Sequence, residues 1–450
     1  MNQQMKTLIQ NVQVVNEGKI IARDVLIQDE KIWDILPPNS FNPGWVNVVI
    51  DGTGKYLIPG CIDDQVHFRE PGLTHKAEIA TEAKAAVAGG ITSFMEMPNT
   101  VPNTVNLDEL AKKFDRAQQV SLANYSFYLG ATHDNIDQIK AMDIKHTCGI
   151  KIFMGSSTGN MLVDDESSLN EIFKHAKTIV ATHCEDDVLI AERYKTIQAQ
   201  FPSGIPIDQH PIIRNDEACY RSSSKAVALA KKHDARLHVL HISTAKEIDL
   251  FDNSLPLSEK RITAEACLHH LWFSDQDYSR LGSRIKWNPA VKSTHDRAAV
   301  RQALIDGKID VLATDHAPHT SEEKKLPYEK CPSGGPLVQH ALPAALELVK
   351  QGVFSLEFIV QKYCHNVAIL YQIPNRGFIR KGYQADCVLI DMHSPWMAQD
   401  EHSLYKCQWT PFHGTTFHSR ILKTWVNGTC VYDEGEWNET IKGQSLIFSR

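Results

Sequence analysis

The sequence lacks the features that would place the protein outside the cell or in a membrane. Its ten cysteines are scattered, with no CxxC pair and no close cluster. In a chain of this size they indicate reduced thiols rather than a disulfide framework. The first residues lack the apolar core and cleavage site of a signal peptide, and no run of about 18 apolar residues could span a bilayer. We therefore expect a cytoplasmic protein with no membrane partner.

An excess of positive charge is also lacking. Lysine and arginine together number 47 against 54 aspartate and glutamate residues, so the formal net charge is −7. No basic stripe of the kind that follows a nucleic-acid backbone is present, which argues against a nucleic-acid partner. We expect a small-molecule substrate instead, and a homo-oligomer, either a dimer or a tetramer.

Short β-branched runs recur through the middle of the chain, each ending in polar residues. Helix-like segments, among them 76–88, 217–233 and 294–306, lie between them. The eight runs are Tyr56–Phe68, Ile91–Pro98, Asn124–Ala131, Thr147–Ser156, Thr178–Glu185, Arg236–Ser243, Arg261–His270 and Ile309–His319. Eight strands that alternate with helices predict an α/β fold in which a parallel sheet closes into a (β/α)₈ TIM barrel.

The two flanks of the chain have a different pattern. Residues 1–55 and residues 376–450 alternate apolar and polar side chains in a strand-like way. Neither flank has enough strands for a stable sheet domain of its own. We therefore expect them to pair in one composite β-sandwich domain, with residues 56–375 forming the catalytic barrel. Within the barrel region, after the eighth run, the stretch Thr320–Pro336 is long and rich in lysine and glycine, which predicts a mobile lid.

Barrel enzymes place their catalytic groups at the carboxyl ends of the strands. The first run ends with Asp63, Gln65, His67 and Arg69 at alternate positions, so we expect these four side chains to share one face. The candidates at the other strand ends are Lys151, His183, His241, Asp315 and His319. Histidines and a carboxylate from several strands are the ligand types that Zn²⁺ prefers. The strand ends therefore predict a metal site.

Each candidate also has an ordinary alternative. A single histidine on a strand is most often a core or surface side chain. Lys151 could extend out of an apolar wall or form a Schiff base. Asp315 could cap the helix that follows it, and Arg69 could form a surface salt bridge. Because such alternatives would have to hold at five strand ends at once, a metal site is the better explanation.

Several longer strings connect the chain to a known family. The segments VHFREPG, MEMPNT, THCED, HISTAKE and TDHAPH resemble the motifs of the amidohydrolase superfamily and, within it, of the dihydroorotases. The resemblance covers essentially the whole length. It implies a reversible hydrolysis of the cyclic amide of dihydroorotate to N-carbamoyl-aspartate, a step of pyrimidine biosynthesis, by water that a metal activates.

The resemblance also implies a binuclear metal centre at the mouth of the barrel, with one or two Zn²⁺ ions per chain. His67 and Asp315 would bind the first ion, and His183 and His241 the second. Lys151 matches the lysine that some members carboxylate, and its carbamate would bridge both ions. Asp315 would in addition act as the catalytic base and then as the acid.

One position departs from the family pattern. The motif on the first strand is His-x-His, and Gln65 replaces its first histidine. An amide oxygen is a poor ligand beside an imidazole, so Gln65 is at most a weak metal ligand. We therefore expect the second ion to be held more tightly than the first.

The resemblance assigns a further set of residues to the substrate. The ring carboxylate of dihydroorotate needs a cation, and a guanidinium binds carboxylate in a bidentate manner. Arg69, Asn99 and His319 would bind this carboxylate. Asn288 and the glycine pair that includes Gly335 would contact the ring amides.

Two alternatives to this function stay open. A dihydropyrimidinase (hydantoinase) or an allantoinase would share the metal ligands, but a neutral hydantoin offers no carboxylate to Arg69, Asn99 and His319. A catalytically silent homologue that scaffolds another enzyme is the other alternative. Gln65 is its only support.

Overall fold

The computed structural model describes residues 5–155 and 161–450. The strands, β1 to β19 in chain order, are Lys6–Asn16, Lys19–Gln28, Lys31–Leu36, Val48–Asp51, Tyr56–Pro59, Cys61–Val66, Ile91–Glu96, Asn124–Gly130, Gly149–Phe153, Val180–His183, Leu237–Val239, Ile262–Cys267, Val311–Ala313, Cys387–Asp391, Trp396–Met397, Thr416–Phe417, Arg420–Val426, Thr429–Asp433 and Glu436–Trp437.

The α-helices, α1 to α14 in chain order, are Ile79–Ala88, Leu107–Val120, Ile136–Ala141, Glu166–His175, Asp187–Gln200, His210–Ile213, Asp216–His233, Leu268–Trp272, Tyr278–Leu281, Thr294–Ile305, Ser321–Lys324, Ala341–Lys350, Leu356–Val360 and Asn366–Tyr371. A π-helical segment, Gln361–His365, joins the last two. None of the helices in the described part of the chain has the length and apolar character needed to cross a bilayer.

Strands β6 to β13 form a parallel sheet in which the spatial order follows the sequence. The first and last of these strands meet through a parallel bridge between Val66 and His316, and the backbone N–H of His67 donates to the carbonyl of His316 at 2.7 Å. The predicted (β/α)₈ barrel and its eight strands are confirmed, although each strand is shorter than its run. Ser156, the last residue of the fourth predicted strand, lies outside the described residues.

Several of the helices around the barrel begin at side-chain caps. Asn106 accepts a hydrogen bond from the backbone of Glu109 at 2.8 Å and starts α2, and Ser293 caps the start of α10 in the same way. Such caps satisfy backbone donors that have no partner inside the helix. The predicted helical segments 76–88, 217–233 and 294–306 are confirmed as α1, α7 and α10.

The first predicted run, Tyr56–Phe68, contains two strands rather than one. Strand β5 pairs with β1 and β14 in the composite sheet, whereas β6 begins the barrel. Gly60 lies between them, and a Cβ atom there would overlap the side chain of Thr92. The missing side chain lets the chain pass closely from one sheet into the other.

The two flanks pair in one nine-stranded sheet, as predicted. Its order is β19-β18-β17-β14-β5-β1-β2-β3, with β4 also pairing with β1. The sheet folds over, so that Gly428 lies directly against the carbonyl of Asp29. A separate apolar core, which includes Ile27, Leu57 and Trp425, lies within it. The domain boundaries at 55/56 and 375/376 stay predictions.

A buried carboxylate connects the composite sheet to the barrel. Asp386 accepts hydrogen bonds from the backbone N–H of Asn427 at 2.7 Å and from the side chain of Asn124 at 3.3 Å. It also forms a buried ion pair with Arg376. Because Asn124 begins β8, this carboxylate joins the two parts of the fold.

We predict that Asp386→Ala lowers the free energy of unfolding by about 3–5 kcal/mol, because it leaves the Arg376 guanidinium buried without a counter-ion. Denaturant unfolding measures this loss. The matched control is Asp433→Ala, which breaks the more exposed pair with Lys423 and should cost less than about 1 kcal/mol. Equal losses of unfolding free energy in the two variants would contradict the role of Asp386 in connecting the composite sheet to the barrel.

Candidate active site

The carboxyl ends of the barrel strands surround a cavity of about 280 Å³. Ten of the eleven predicted site residues line it. They are Gln65, His67, Arg69, Asn99, Lys151, His183, His241, Asn288, Asp315 and His319. Phe153, Trp287, Ala317 and the segment 332–334 complete the wall. The fold therefore brings together side chains that are separated by up to about 250 residues in the sequence.

The first barrel strand changes register before it ends. Its pairing with β7 shifts between Asp63 and Val66. Asp63 therefore turns away from the cavity, and its Oδ1 accepts hydrogen bonds from the backbone of Gln65 and Thr314 at 3.3 and 3.2 Å. The expectation that Asp63 shares a face with the three polar residues after it is wrong, because the irregularity interrupts the alternation.

Two histidines face each other at the cavity. His183 Nδ1 lies 3.1 Å from His241 Nε2. The other ring nitrogen of His183, Nε2, lies 3.1 Å from Glu185 Oε2, so Nε2–H donates to that carboxylate and Nδ1 carries a lone pair. A tetrahedral Zn²⁺ holds two imidazole nitrogens about 3.3 Å apart. The separation and the free lone pair both fit such an ion.

A second pair of ligand-type residues lies nearby. His67 Nε2 is 3.2 Å from Asp315 Oδ1, a separation similar to that of the two histidines. His67 Nδ1 lies 2.7 Å from Asn99 Oδ1, so Nδ1–H donates to the amide oxygen and Nε2 is the nitrogen left for an ion. Asn99 therefore fixes the orientation of a predicted ligand while it also lines the cavity.

Gln65 directs its amide nitrogen, which is a hydrogen-bond donor and not a metal-ligand atom, toward Asp315. Its amide nitrogen donates to Asp315 Oδ1 at 3.1 Å, and its amide oxygen accepts from the thiol of Cys267 at 3.7 Å. The same thiol lies 3.1 Å from Glu265 Oε1. The weak ligation expected of Gln65 stays a prediction.

Lys151 and Asp315 are buried ionisable groups of the cavity. Lys151 is only 1% exposed, which excludes a side chain that extends to solvent. Burial lowers the pKa of Lys151 to about 8, and burial raises the pKa of Asp315 to about 7. The Lys151 Nζ lies 4.7 Å above the ring centre of Phe153. Each group needs a further partner in the cavity to stabilise its charged form.

Three of the cavity residues adopt left-handed backbone conformations. The φ angles of Arg69, His241 and Asp315 are 67°, 41° and 49°. Such a conformation costs a non-glycine residue on the order of 1–3 kcal/mol and persists where the surroundings hold it. At His241 the backbone N–H donates to Glu265 Oε1 at 3.0 Å. These backbone conformations turn the three side chains into the cavity at the strand ends.

Arg69 is buried in the cavity wall without a carboxylate partner. Its Nε donates to the carbonyl of Pro318 at 3.1 Å, and its Nη2 lies 3.1 Å from His319 Nε2. No ion pair among the described residues involves Arg69, so the surface salt bridge considered above is excluded. Burial lowers the pKa of Arg69 to about 10, and the group remains a cation at neutral pH. A buried guanidinium of this kind is a receptor for an anion.

Asn288, one of the predicted ring contacts, lines the cavity. The side-chain oxygen of Asn288 is buried and has no hydrogen-bond partner among the described residues. Gly334, rather than Gly335, lines the cavity. The reason is that the carbonyl of Gly335 accepts from the backbone of Ala317 at 3.0 Å, and a Cβ atom at Gly335 would lie 2.7 Å from Trp287.

A buried ion pair behind His183 was not predicted from the sequence. Glu185 is fully buried and pairs with Arg214. Burial alone would raise the pKa of Glu185, but Arg214 and His183 lower it to about 2. The spacing of Glu185 two residues after His183 was an available signal. Arg214 offered none, because it follows a separate short helix, α6.

A third buried group lies inside the barrel. Asp64, His238 and Glu265 offer ligand atoms within 4.8 Å of one another, so this group could hold a metal. His238 Nε2 is 3.2 Å from Asp64 Oδ2 and 3.8 Å from Glu265 Oε2. Burial acts to lower the pKa of His238, yet the two carboxylates raise it to about 9. A protonated His238 therefore lies between the two carboxylates, and this ion pairing accounts for the group without a bound ion.

The predicted lid is attached to the cavity wall. Lys324 is buried, and its Nζ donates to the carbonyls of Lys286, Pro332 and Gly334 at 3.4, 2.9 and 2.8 Å. Burial lowers the pKa of Lys324 to about 7. Pro332 and Gly334 line the cavity, so this ammonium group holds part of the loop over it. The mobility of Thr320–Pro336 stays a prediction.

We predict that Lys324→Met loosens this loop, because it removes the ammonium group that donates to the carbonyls of Pro332 and Gly334. Hydrogen exchange of residues 320–336 should become at least tenfold faster. The control is Lys325→Met, which changes the adjacent, exposed lysine and should leave exchange unchanged. Equal exchange rates in the two variants would mean that Lys324 does not hold the loop.

Comparisons of sequence connect the chain to proteins of known activity. The model of the amidohydrolase family matches residues 56–431. The dihydroorotase of Carboxydothermus hydrogenoformans is 32% identical over 431 residues, covering 94% of this chain and 96% of that protein. The dihydroorotase of Halobacterium salinarum is 33% identical over 423 residues, covering 92% of this chain and 96% of that protein.

Solved structures with backbones similar to this chain are named hydantoinases or dihydropyrimidinases rather than dihydroorotases. The L-hydantoinase (dihydropyrimidinase) of Arthrobacter aurescens superposes with a TM-score of 0.91 at 26% identity, covering 98% of this chain and 99% of the other. The dihydropyrimidinase of Brevibacillus agri superposes with a TM-score of 0.87 at 24% identity, covering 99% and 100% of the two chains. The second similarity supports the fold alone.

Proposed function

The chain belongs to the amidohydrolase family, and we propose that within this family it is a dihydroorotase. It hydrolyses the cyclic amide of dihydroorotate to N-carbamoyl-aspartate and catalyses the reverse ring closure, which serves pyrimidine synthesis. The observation that carries this proposal is the unpaired guanidinium of Arg69 in the wall of a cavity whose other residues are metal-ligand types.

The substrate fits this cavity by charge. Its ring carboxylate would pair with Arg69, and the amides of Asn99 and Asn288 would contact the carboxylate and the ring. Asn99 Oδ1 is engaged by His67, which leaves the amide nitrogen of Asn99 to donate to the substrate. A neutral hydantoin would leave the buried Arg69 without a counter-ion, and an unpaired buried charge costs several kcal/mol.

A dihydropyrimidinase or hydantoinase is the second candidate. The backbone similarity to the hydantoinase of Arthrobacter aurescens favours it. One fold hosts several substrates, however, and the substrate is decided by the residues of the site. The cationic wall at Arg69 and the two dihydroorotases that are 32% and 33% identical over most of the chain support dihydroorotate instead.

We further propose that the site holds Zn²⁺. His183 and His241 would bind one ion, His67 and Asp315 would bind another, and a carbamate on Lys151 would bridge them. The fit rests on the two pairs of ligand atoms, which are 3.1 and 3.2 Å apart. When bound, such an ion lowers the pKa of water to about 7 and polarises the amide carbonyl.

Asp315 moves the proton in this reaction. Its carboxylate takes a proton from the attacking water and delivers it to the ring nitrogen as the amide bond breaks. Gln65 donates to Asp315 Oδ1 at 3.1 Å and holds the carboxylate in place. Arg69 meanwhile fixes the far end of the substrate, so the amide carbon is presented at the metal-ligand side of the cavity.

A direct assay tests the proposed function. Protein with a known zinc content is assayed with dihydroorotate, hydantoin and allantoin under the same conditions. Dihydroorotate should be hydrolysed with a kcat/KM at least 100-fold above that of the other two rings. A preference for hydantoin would favour the second candidate, and turnover of none of them at full metal content would favour a silent homologue.

We predict that Arg69→Met separates charged from uncharged substrates. The kcat/KM for dihydroorotate should fall by about 100-fold or more. The reason is that removing one partner of a buried, hydrogen-bonded charge pair typically costs 2–5 kcal/mol of binding free energy. Hydrolysis of an uncharged cyclic imide should change by less than threefold, and this substrate serves as the internal control. Equal losses for both would mean that Arg69 supports the fold or the metal.

We predict that Lys151 carries a carboxyl group in the metal-loaded protein. Burial lowers the pKa of its amine to about 8, so a fraction is neutral and can react with carbon dioxide at neutral pH. Lys151→Ala should lose bridging ligation and activity, and short carboxylates such as acetate should restore part of both. An unmodified lysine in the intact mass of an active, metal-loaded enzyme would contradict this.

Gln65 stands where the family motif has its first histidine. We therefore predict that the two metal sites bind their ions with unequal affinity. The site formed by His183 and His241 should hold its ion more tightly than the site formed by His67 and Asp315, because Gln65 offers a donor there. Metal analysis under a graded chelator should show two steps in the wild type. In Gln65→His the weaker step should move toward the tighter one. Two equally tight ions in the wild type, with no gain in the variant, would contradict the asymmetry.

The cytoplasmic location and the dimeric or tetrameric state also belong to this proposal. Ten cysteines without a disulfide among the described residues agree with a reducing compartment. Light scattering of the purified protein measures the oligomeric state directly.

A further inference from the structure

Glu185 lies behind the metal-ligand residues and outside the cavity wall. It is fully buried, and its Oε2 is 3.1 Å from His183 Nε2. The same oxygen accepts a hydrogen bond from Arg214, with which Glu185 forms a buried ion pair. The backbone of Gly155 also approaches closely, since a Cβ atom there would overlap the carbonyl of Glu185. The carboxylate is therefore fixed from two sides.

The position of this carboxylate decides which nitrogen of His183 carries the proton. With a proton on Nε2, the ring donates to Glu185. With a proton on Nδ1 instead, the Nε2 lone pair would face a carboxylate oxygen at 3.1 Å, and two acceptors would oppose each other. The first arrangement is favoured, and it directs the Nδ1 lone pair toward His241 Nε2 at 3.1 Å.

We propose that Glu185 is a positioning residue, which sets the tautomer and ring plane of His183 for metal binding. The inference rests on the proposed function, because it needs the metal site to be used. It adds a residue that lies outside the predicted site. Carboxylates that accept from the second nitrogen of a ligating histidine raise its basicity and fix its ring, and their loss typically weakens metal binding by 10- to 100-fold.

Arg214 connects this pair to the rest of the cavity wall. It directly follows α6, and its backbone N–H donates to the carbonyl of His210 at 2.9 Å. His210 in turn donates to the carbonyl of Trp287 at 2.6 Å and accepts from the hydroxyl of Tyr328 at 2.9 Å. The segment that holds Glu185 is thereby attached to both the cavity wall and the loop over it.

Metal binding in the absence of substrate tests the proposal. The affinity of the tighter zinc ion is measured by chelator competition in the wild type and in Glu185→Gln and Glu185→Leu. The affinity should fall by about 10-fold in Glu185→Gln, which keeps an acceptor oxygen, and by about 100-fold in Glu185→Leu. The visible spectrum of the cobalt-substituted protein should shift in both variants, because the imidazole ligand is reoriented. The control is Glu192→Gln, an exposed position on the neighbouring helix α5, which should change neither readout.

A purely structural role gives a different result. Glu185→Leu would then melt at a lower temperature, while the folded protein kept the affinity and spectrum of the wild type, and the proposal would be overturned. If Glu185→Leu does not fold, Arg214→Met takes its place, with a smaller loss of affinity expected and unchanged affinity again contradicting the proposal. Failure of the proposed function would be distinct, since it would appear as normal metal binding without turnover of dihydroorotate.

Discussion

The site depends on the burial of charged and ligand-type side chains that have few partners inside the protein. Lys151 and Arg69 are buried cations without a carboxylate partner among the described residues, and Asp315 is a buried acid whose pKa is raised to about 7. Each such group costs several kcal/mol when it is left uncompensated. An anionic substrate would pair with Arg69, a metal ion would pair with Asp315, and carboxylation would turn Lys151 into an anionic ligand. Binding of both would thus relieve the cost of leaving these groups without partners.

The barrel makes this arrangement possible because its strand ends converge. Positive φ angles at Arg69, His241 and Asp315 turn three side chains into the cavity, and the backbone conformation there is held by neighbouring contacts. A further layer of acceptors orients the imidazoles, with Asn99 behind His67 and Glu185 behind His183. Orientation of the ligands thus comes from residues that lie one contact farther out.

Much of this could be predicted from the sequence, and the exceptions have physical reasons. The eight strands could be predicted because short apolar runs alternate with helical segments along the sequence. Eight of the ten cavity residues could be predicted because they lie at the ends of those runs, and Asn99 and Asn288 were predicted from the family resemblance. Asp63 was misplaced because a register shift in β6 breaks the two-residue alternation. Arg214 was missed because its partner, Glu185, lies on another segment, and no local pattern reports an ion pair formed by the tertiary fold.

A crystal structure of the zinc-loaded protein with bound dihydroorotate tests the central claim most directly. Anomalous scattering at the zinc edge locates the ions, and the density locates the ring. We expect a zinc ion at His183 and His241 and the ring carboxylate against the Arg69 guanidinium. A ring bound with its carboxylate away from Arg69, or zinc absent from the histidine pair in active protein, would contradict it.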